Sequence, residues 1–230
     1  MSTSPFANLP RFRPASFWLL VAATATSGFV SDLPLADRLL LGASFVADPA
    51  PWQPLTAPFL FPNGQLAGLI GTGLLQWFVG SRVEARLGPA RYLGLVLGGA
   101  VLGYLALGLV GLAVPAALAV PHGGTIPIDI AAVVAFGVLF ARDPLALFGL
   151  LPITARSFAS VAVALLLLGP LLRGGWPDIV PGLVAAGIAL GVTRRWQKQP
   201  ASGKVGPRKA SKSKRPRHLR IVDGREQYLN

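Results

Sequence analysis

Between Tyr92 and Val114 the chain runs for 23 residues without a charge. At 1.5 Å per residue such a run, once helical, crosses the roughly 30 Å hydrocarbon core of a bilayer. No other feature restricts the possible folds as strongly. Inside lipid every backbone polar group must be satisfied within the protein, so only helices and closed barrels span. A barrel would show alternating segments of about ten residues, and this run is continuous. The 230 residues are 53% hydrophobic and only 13% charged, about half the charged share of an ordinary soluble domain.

Five further apolar runs accompany the first, giving six: Ser16–Val30, Leu66–Val79, Tyr92–Val114, Ile126–Ala141, Ser157–Leu172 and Ile179–Val192. The expected fold class is all-α, a polytopic bundle of six transmembrane helices. Its parts are a cytoplasmic segment 1–15, a membrane domain 16–195 and a basic, disordered tail 196–230. The first run, with Arg11 and Arg13 before it and Ala23-Thr24-Ala25 inside it, has the outline of a signal peptide. An even number of spans fits the charge pattern better and favours a retained helix. Arg11, Arg13, Arg82, Arg86, Arg91, Arg142 and Arg156 fall in alternate loops with the tail, whereas the other loops hold only Arg38 and Arg173. The positive-inside rule then puts both termini in the cytoplasm. The loop from Ser31 to Asn63 is long and carries Leu39, Leu40, Leu41, Phe45 and Trp52. It reads as a segment lying on the membrane interface.

Cysteine is absent and histidine occurs only at His122 and His218. Disulfides and thiol chemistry are excluded, and a histidine-built metal site has almost nothing to use. The expectation is no metal and no cofactor. Of the 21 basic residues, twelve lie from Arg194 onward, with only two of the nine acidic ones. Such a cluster beside a helix end is drawn to anionic lipid headgroups, and Lys209, Lys212, Lys214, Arg215 and Arg217 are its expected contacts. Nucleic acid ranks second, because no aromatic residue interrupts the basic run. The closing HLRIVDGREQYLN is less random, and Leu219–Val222 suits a short strand added to a partner.

From Trp52 the chain reads WQPLTAPFLF, then PNGQLAGLIGTGLLQWFVGSRVEARLG. With Trp52, Thr56, Phe59, the Gly80-x-x-x-Glu84-x-x-x-Gly88 turn, the loop Phe140–Arg156 and the Gly187/Gly191 step, this resembles the rhomboid family of intramembrane serine proteases over about residues 16–195. Gln53 stands where that family often has arginine. The resemblance implies a fourth helix opened by a nucleophilic serine, a basic histidine in the sixth helix, and a histidine and asparagine in the second. Here those positions fall on Ile126, Val180, Gly68 and Thr72. An alkane side chain cannot attack a carbonyl, and Pro127 removes a backbone donor. No serine lies between Ser81 and Ser157, so a small shift in register does not restore the pair.

The resemblance therefore implies a rhomboid fold without peptidase activity, akin to inactive rhomboids and derlins, that holds transmembrane segments of client proteins. Gly68, Thr72, Ile126, Asp129 and Val180 would shape its vestigial cleft. Thr125 and Asp129 are the residues through which a protease with displaced chemistry would have to work. A third possibility is a membrane assembly factor acting through the tail. Asp129 has a plainer reading as a cap for the helix start. An aspartyl dyad of Asp129 with Asp178 lacks the flanking motifs of such proteases. His122 reads as a solvated loop residue, Gln76 as a hydrogen bonder between helices, and Glu84 as an ion-pair partner of Arg82 or Arg86. The glycines of the third run suit close packing, with Gly98 and Leu102 bordering a groove.

Overall fold

A computed structural model describes residues 11–30, 33–62, 66–147, 151–172 and 175–198. The tail, with Lys209, Lys212, Lys214, Arg215 and Arg217, lies outside them. Six apolar helices coincide with the six runs. They are α1 (Pro14–Val30), α5 (Leu66–Leu75), α7 (Pro89–Ala113), α8 (Ile126–Leu139), α9 (Ala155–Leu172) and α10 (Trp176–Lys198). Between α1 and α5 lie three short helices, α2 (Ala36–Leu39), α3 (Ala43–Ala47) and α4 (Gln53–Thr56). A π turn, Gln76–Gly80, joins α5 to α6 (Ser81–Leu87). Three helices, α7, α9 and α10, are long and apolar enough to cross a membrane; α1 and α8 are shorter apolar helices. One amendment to an all-α fold is an antiparallel hairpin of β1 (Pro144–Leu147) and β2 (Leu151–Thr154), with Pro144 opposite Thr154 and Leu147 opposite Leu151.

Helix α8 is the axis of the bundle. Fourteen residues rise only about 21 Å, too little to span a bilayer core unaided. Its burial explains why it need not. Pro127 to Val133, Ala135, Phe136 and Gly137 are all buried, and α5, α6, α7, α9 and α10 pack around it. A helix apolar all round belongs inside a protein or a membrane. Its neighbours are apolar outward as well. Leu102, Leu109 and Leu112 of α7 and Val161, Leu165 and Leu168 of α9 are exposed. Apolar surface of this extent is covered by lipid or by another protein, not by water.

The glycines of α7 divide by face. A Cβ on Gly103 would lie 2.5 Å from the Pro181 carbonyl oxygen and 2.9 Å from its Cα; one on Gly99 would touch Ala185. This small-xxx-small pair brings α7 against α10, which answers with Pro181, Ala185, Ala189 and Thr193, one buried residue per turn. Gly94 and Gly98 face open space, as do Gly187 and Gly191 of α10. The Gly187/Gly191 step therefore takes no part in the α7–α10 crossing.

The long loop after α1 differs from the expected interfacial segment. Leu40, Leu41 and Phe45 are buried, and Leu41 and Phe45 pack with Tyr104, Leu107 and Leu118. Its fold is held by carbonyls at the end of α2. Arg38 O accepts from Trp52 Nε1 at 3.1 Å and Gln53 Nε2 at 3.4 Å, and Leu39 O accepts from Thr56 Oγ1 at 2.6 Å. Only part of the loop, including Leu33, Leu35, Trp52 and Leu55, stays exposed.

Glu84 pairs with neither Arg82 nor Arg86. It is buried, and its carboxylate accepts from Ala15 N at 3.1 Å and from Ser16 N and Oγ, both at 2.8 Å. The two N–H groups belong to the first turn of α1, which has no intrahelical acceptors for them. A carboxylate there also meets the positive end of the helix dipole. Gly88, at φ +83°, then ends α6 and lets Pro89 open α7. Glu84→Ala is expected to cost about 2–4 kcal/mol, since it strands two buried N–H groups. The loss is measurable by titrating helicity against a denaturing detergent, and Glu84→Gln should recover part of it.

Candidate functional site

Two polar pairs are spaced four positions apart: Thr72 of α5 with Gln76 of the π turn that continues it, and Thr125 at the cap of α8 with Asp129 in its first turn. Residues so spaced share a helix face, and the fold sets these faces together. Asp129 Oδ1 accepts from Gln76 Nε2 at 2.9 Å. Asp129 Oδ2 accepts from Thr72 Oγ1 at 2.7 Å and Thr125 Oγ1 at 3.3 Å. The two threonine hydroxyls also touch each other, and Tyr92 donates its hydroxyl to Gln76 Oε1. All five side chains are buried. Every donor here is neutral, and among the described residues no cation pairs with Asp129. The carboxyl is thus a junction between helices and does not cap α8, whose first turn receives no side-chain cap.

The π turn makes this junction possible. Its extra residue per turn swings the helix, and such turns gather at functional sites. A Cβ on Gly80 would fall 2.5 Å from Gln76 Oε1 and 2.6 Å from Tyr92 Oη, so only glycine leaves room for that pair.

A second polar group lies at the other side of the α8 start. His122 is buried, 2% exposed, and not a solvated loop residue. Its Nδ1 lies 2.5 Å from Asp178 Oδ1 and its Nε2 2.8 Å from Ala117 O. Both ring nitrogens face oxygen, so both contacts are hydrogen bonds only if the ring holds two protons or Asp178 holds one. Asp178 is therefore engaged with His122 and not with Asp129. The backbone around His122 is fixed too: Leu41 and His122 exchange backbone hydrogen bonds, Gly124 N donates to Ala57 O at 2.9 Å, and Tyr104 donates to Gly124 O at 2.9 Å. Gly124, at φ +110°, takes a conformation closed to most side chains.

The residues expected to shape a cleft thus divide. Thr72, Thr125 and Asp129 meet directly. Gly68 stands under Phe61, whose ring would be 2.4 Å from an added Cβ and which also faces Gly124. Ile126 is half-buried as the first residue of α8. Val180 packs in a separate cluster with Leu41, Phe45, Tyr104, Leu107 and Leu118. Gln76 and Tyr92 complete the junction. The matching four-residue spacing on two apolar runs was the available signal for their partners; nothing local pointed to Tyr92.

Chemically, the junction holds a carboxyl beside a hydroxyl, but Thr125 is fully buried and its hydroxyl faces Thr72. Among the described residues no group of three or more His, Asp or Glu side chains gathers as a metal site. The chain matches no protein-family model, and no curated protein matches it as a relative. Its class rests on the fold: a helical membrane protein built around a short, enclosed central helix.

Proposed function

We propose that the chain is a rhomboid-like, six-span pseudoprotease, with both termini cytoplasmic, that holds transmembrane segments of client proteins. One observation carries this reading. The start of the central helix, where a rhomboid would keep its nucleophile, presents Ile126, and the nearby polar side chains are spent on joining helices. Thr125 and Asp129 bond inward to α5. His122, the histidine closest in sequence, bonds to Asp178 and Ala117. The arrangement suits recognition without reaction.

A photoreactive amino acid at Ile126, in native membranes, is expected to capture single-pass helices. The same probe at Val161, on the exposed face of α9, should not. Equal capture at both positions would sink the client reading.

The contact of Thr125 with Asp129 favours one second reading, an intramembrane endopeptidase whose hydroxyl and carboxyl are displaced by one and three residues from Ile126. It requires cleavage that depends on Thr125, and a movement that uncovers a hydroxyl now enclosed.

A further inference from the structure

On the side of the bundle where α9 begins and α10 ends, a groove of about 630 Å³ opens between α8, α9 and α10. Its walls are apolar: Val134, Ala159, Val163, Gly187 and Leu190 contribute. At its mouth stand Arg156 and Arg194, both exposed. Ser160 shares the Arg156 face one turn on. No acidic side chain lines the groove, and among the described residues neither arginine pairs with a carboxylate. Arg156 is the second residue of α9, whose N-terminus is capped by the Thr154 hydroxyl accepting from Ser157 N at 3.2 Å. The C-terminal turns of α8 and α10 lie on this same side, so the helix dipoles oppose one another and the positive charge of the groove is that of the two guanidinium groups. Gln197, exposed at the same end of the groove as Arg194, donates to Val138 O at 2.8 Å, which satisfies a carbonyl in the last turns of α8.

We infer that this groove binds one anionic phospholipid, its phosphate between Arg156 and Arg194 and one acyl chain along Gly187 and Leu190. The dimensions agree. From Arg194 to Gly187 the helix descends about 10 Å, within the ~15 Å half-thickness of a bilayer core. Gly187 has nothing within 4 Å of an added Cβ, so space for the chain continues past it. The charges argue against other occupants. A client helix would have to cover two uncompensated arginines, and the chain's own tail is basic. An anionic headgroup answers both arginines, and guanidinium groups bind phosphate in paired hydrogen bonds. The site stands independently of the client reading.

The test uses the purified full-length chain in detergent and follows lipid occupancy by native mass spectrometry. Phosphatidylglycerol and phosphatidylcholine are titrated against wild type, an Arg156→Gln/Arg194→Gln double variant, and Gly187→Phe. Wild type should hold one phosphatidylglycerol about 30-fold more tightly than phosphatidylcholine. The double variant should lose that preference. Gly187→Phe fills the groove but keeps both arginines and the tail, and should lose the tight lipid. Millimolar inorganic phosphate should leave it bound. Wild-type affinity in Gly187→Phe would assign the binding to the tail or surface charge and overturn the site. Equal affinity for the two lipids, or displacement by phosphate alone, would overturn it as well.

Discussion

Gly103→Val is expected to destabilise the bundle by about 3 kcal/mol or more, at the upper end of overpacking effects. The obstacle is backbone. The added Cβ would meet the carbonyl oxygen, Cα and carbonyl carbon of Pro181 at 2.5, 2.9 and 3.0 Å. A side chain could rotate away, but here α7 and α10 must separate. Pro181 holds this stretch of α10 more tightly still, because its φ is fixed. Separation would also open the contacts of Gly99 with Ala185. The same change at Gly94 or Gly98, which face open space, should be neutral or gain about 0.3 kcal/mol from helix propensity. The measurement is unfolding of each variant by titrated denaturant, with helicity as the signal. A Gly103 variant as stable as the Gly98 variant would mean that the two helices do not cross as described.

Asp129→Leu should cost about 2–5 kcal/mol. It removes the acceptor for Gln76 Nε2 and Thr72 Oγ1 and leaves both donors in an apolar interior, at ~1–3 kcal/mol each. Asp129→Asn keeps an acceptor oxygen and should cost less. Because the network acts as a unit, Gln76→Leu combined with Asp129→Leu should cost less than the two single changes added together. A double-mutant cycle reads that coupling directly. Strict additivity would show that Gln76 and Asp129 do not bond.

The helices were legible because lipid demands long apolar runs, and each of the six runs became one helix. Glu84, Gln76 and the loop after α1 show where that reading stops. Gln76 announces itself as a polar residue in an apolar run, so a bond between helices follows from cost alone. Glu84 sits among arginines in the chain, and local pairing was the natural expectation. Its partners instead come from Ala15 and Ser16, some seventy residues earlier, because a helix that begins at Pro14 needs acceptors from elsewhere. Leu41 and Phe45 carry no sign of whether lipid or protein will cover them. Only the fold of α7 and the Pro115–Leu118 turn decides that. His122 reads as a loop residue between glycine and proline, and nothing in the sequence reports that Asp178 lies within reach.

Within the candidate site, the residue types and the geometry bear on different positions. Ile126 and Val180 carry no reactive atom. Thr72, Gln76, Thr125 and Asp129 share their hydrogen bonds among themselves and with Tyr92. The hydroxyls and the carboxyl of this site are occupied in joining helices to one another.

The most direct measurement reconstitutes the purified chain into liposomes with labelled single-pass transmembrane substrates and looks for cleavage products over prolonged incubation. The account predicts intact substrate for wild type and for Thr125→Val alike. A product that appears with wild type and disappears with Thr125→Val or Asp129→Asn would contradict it.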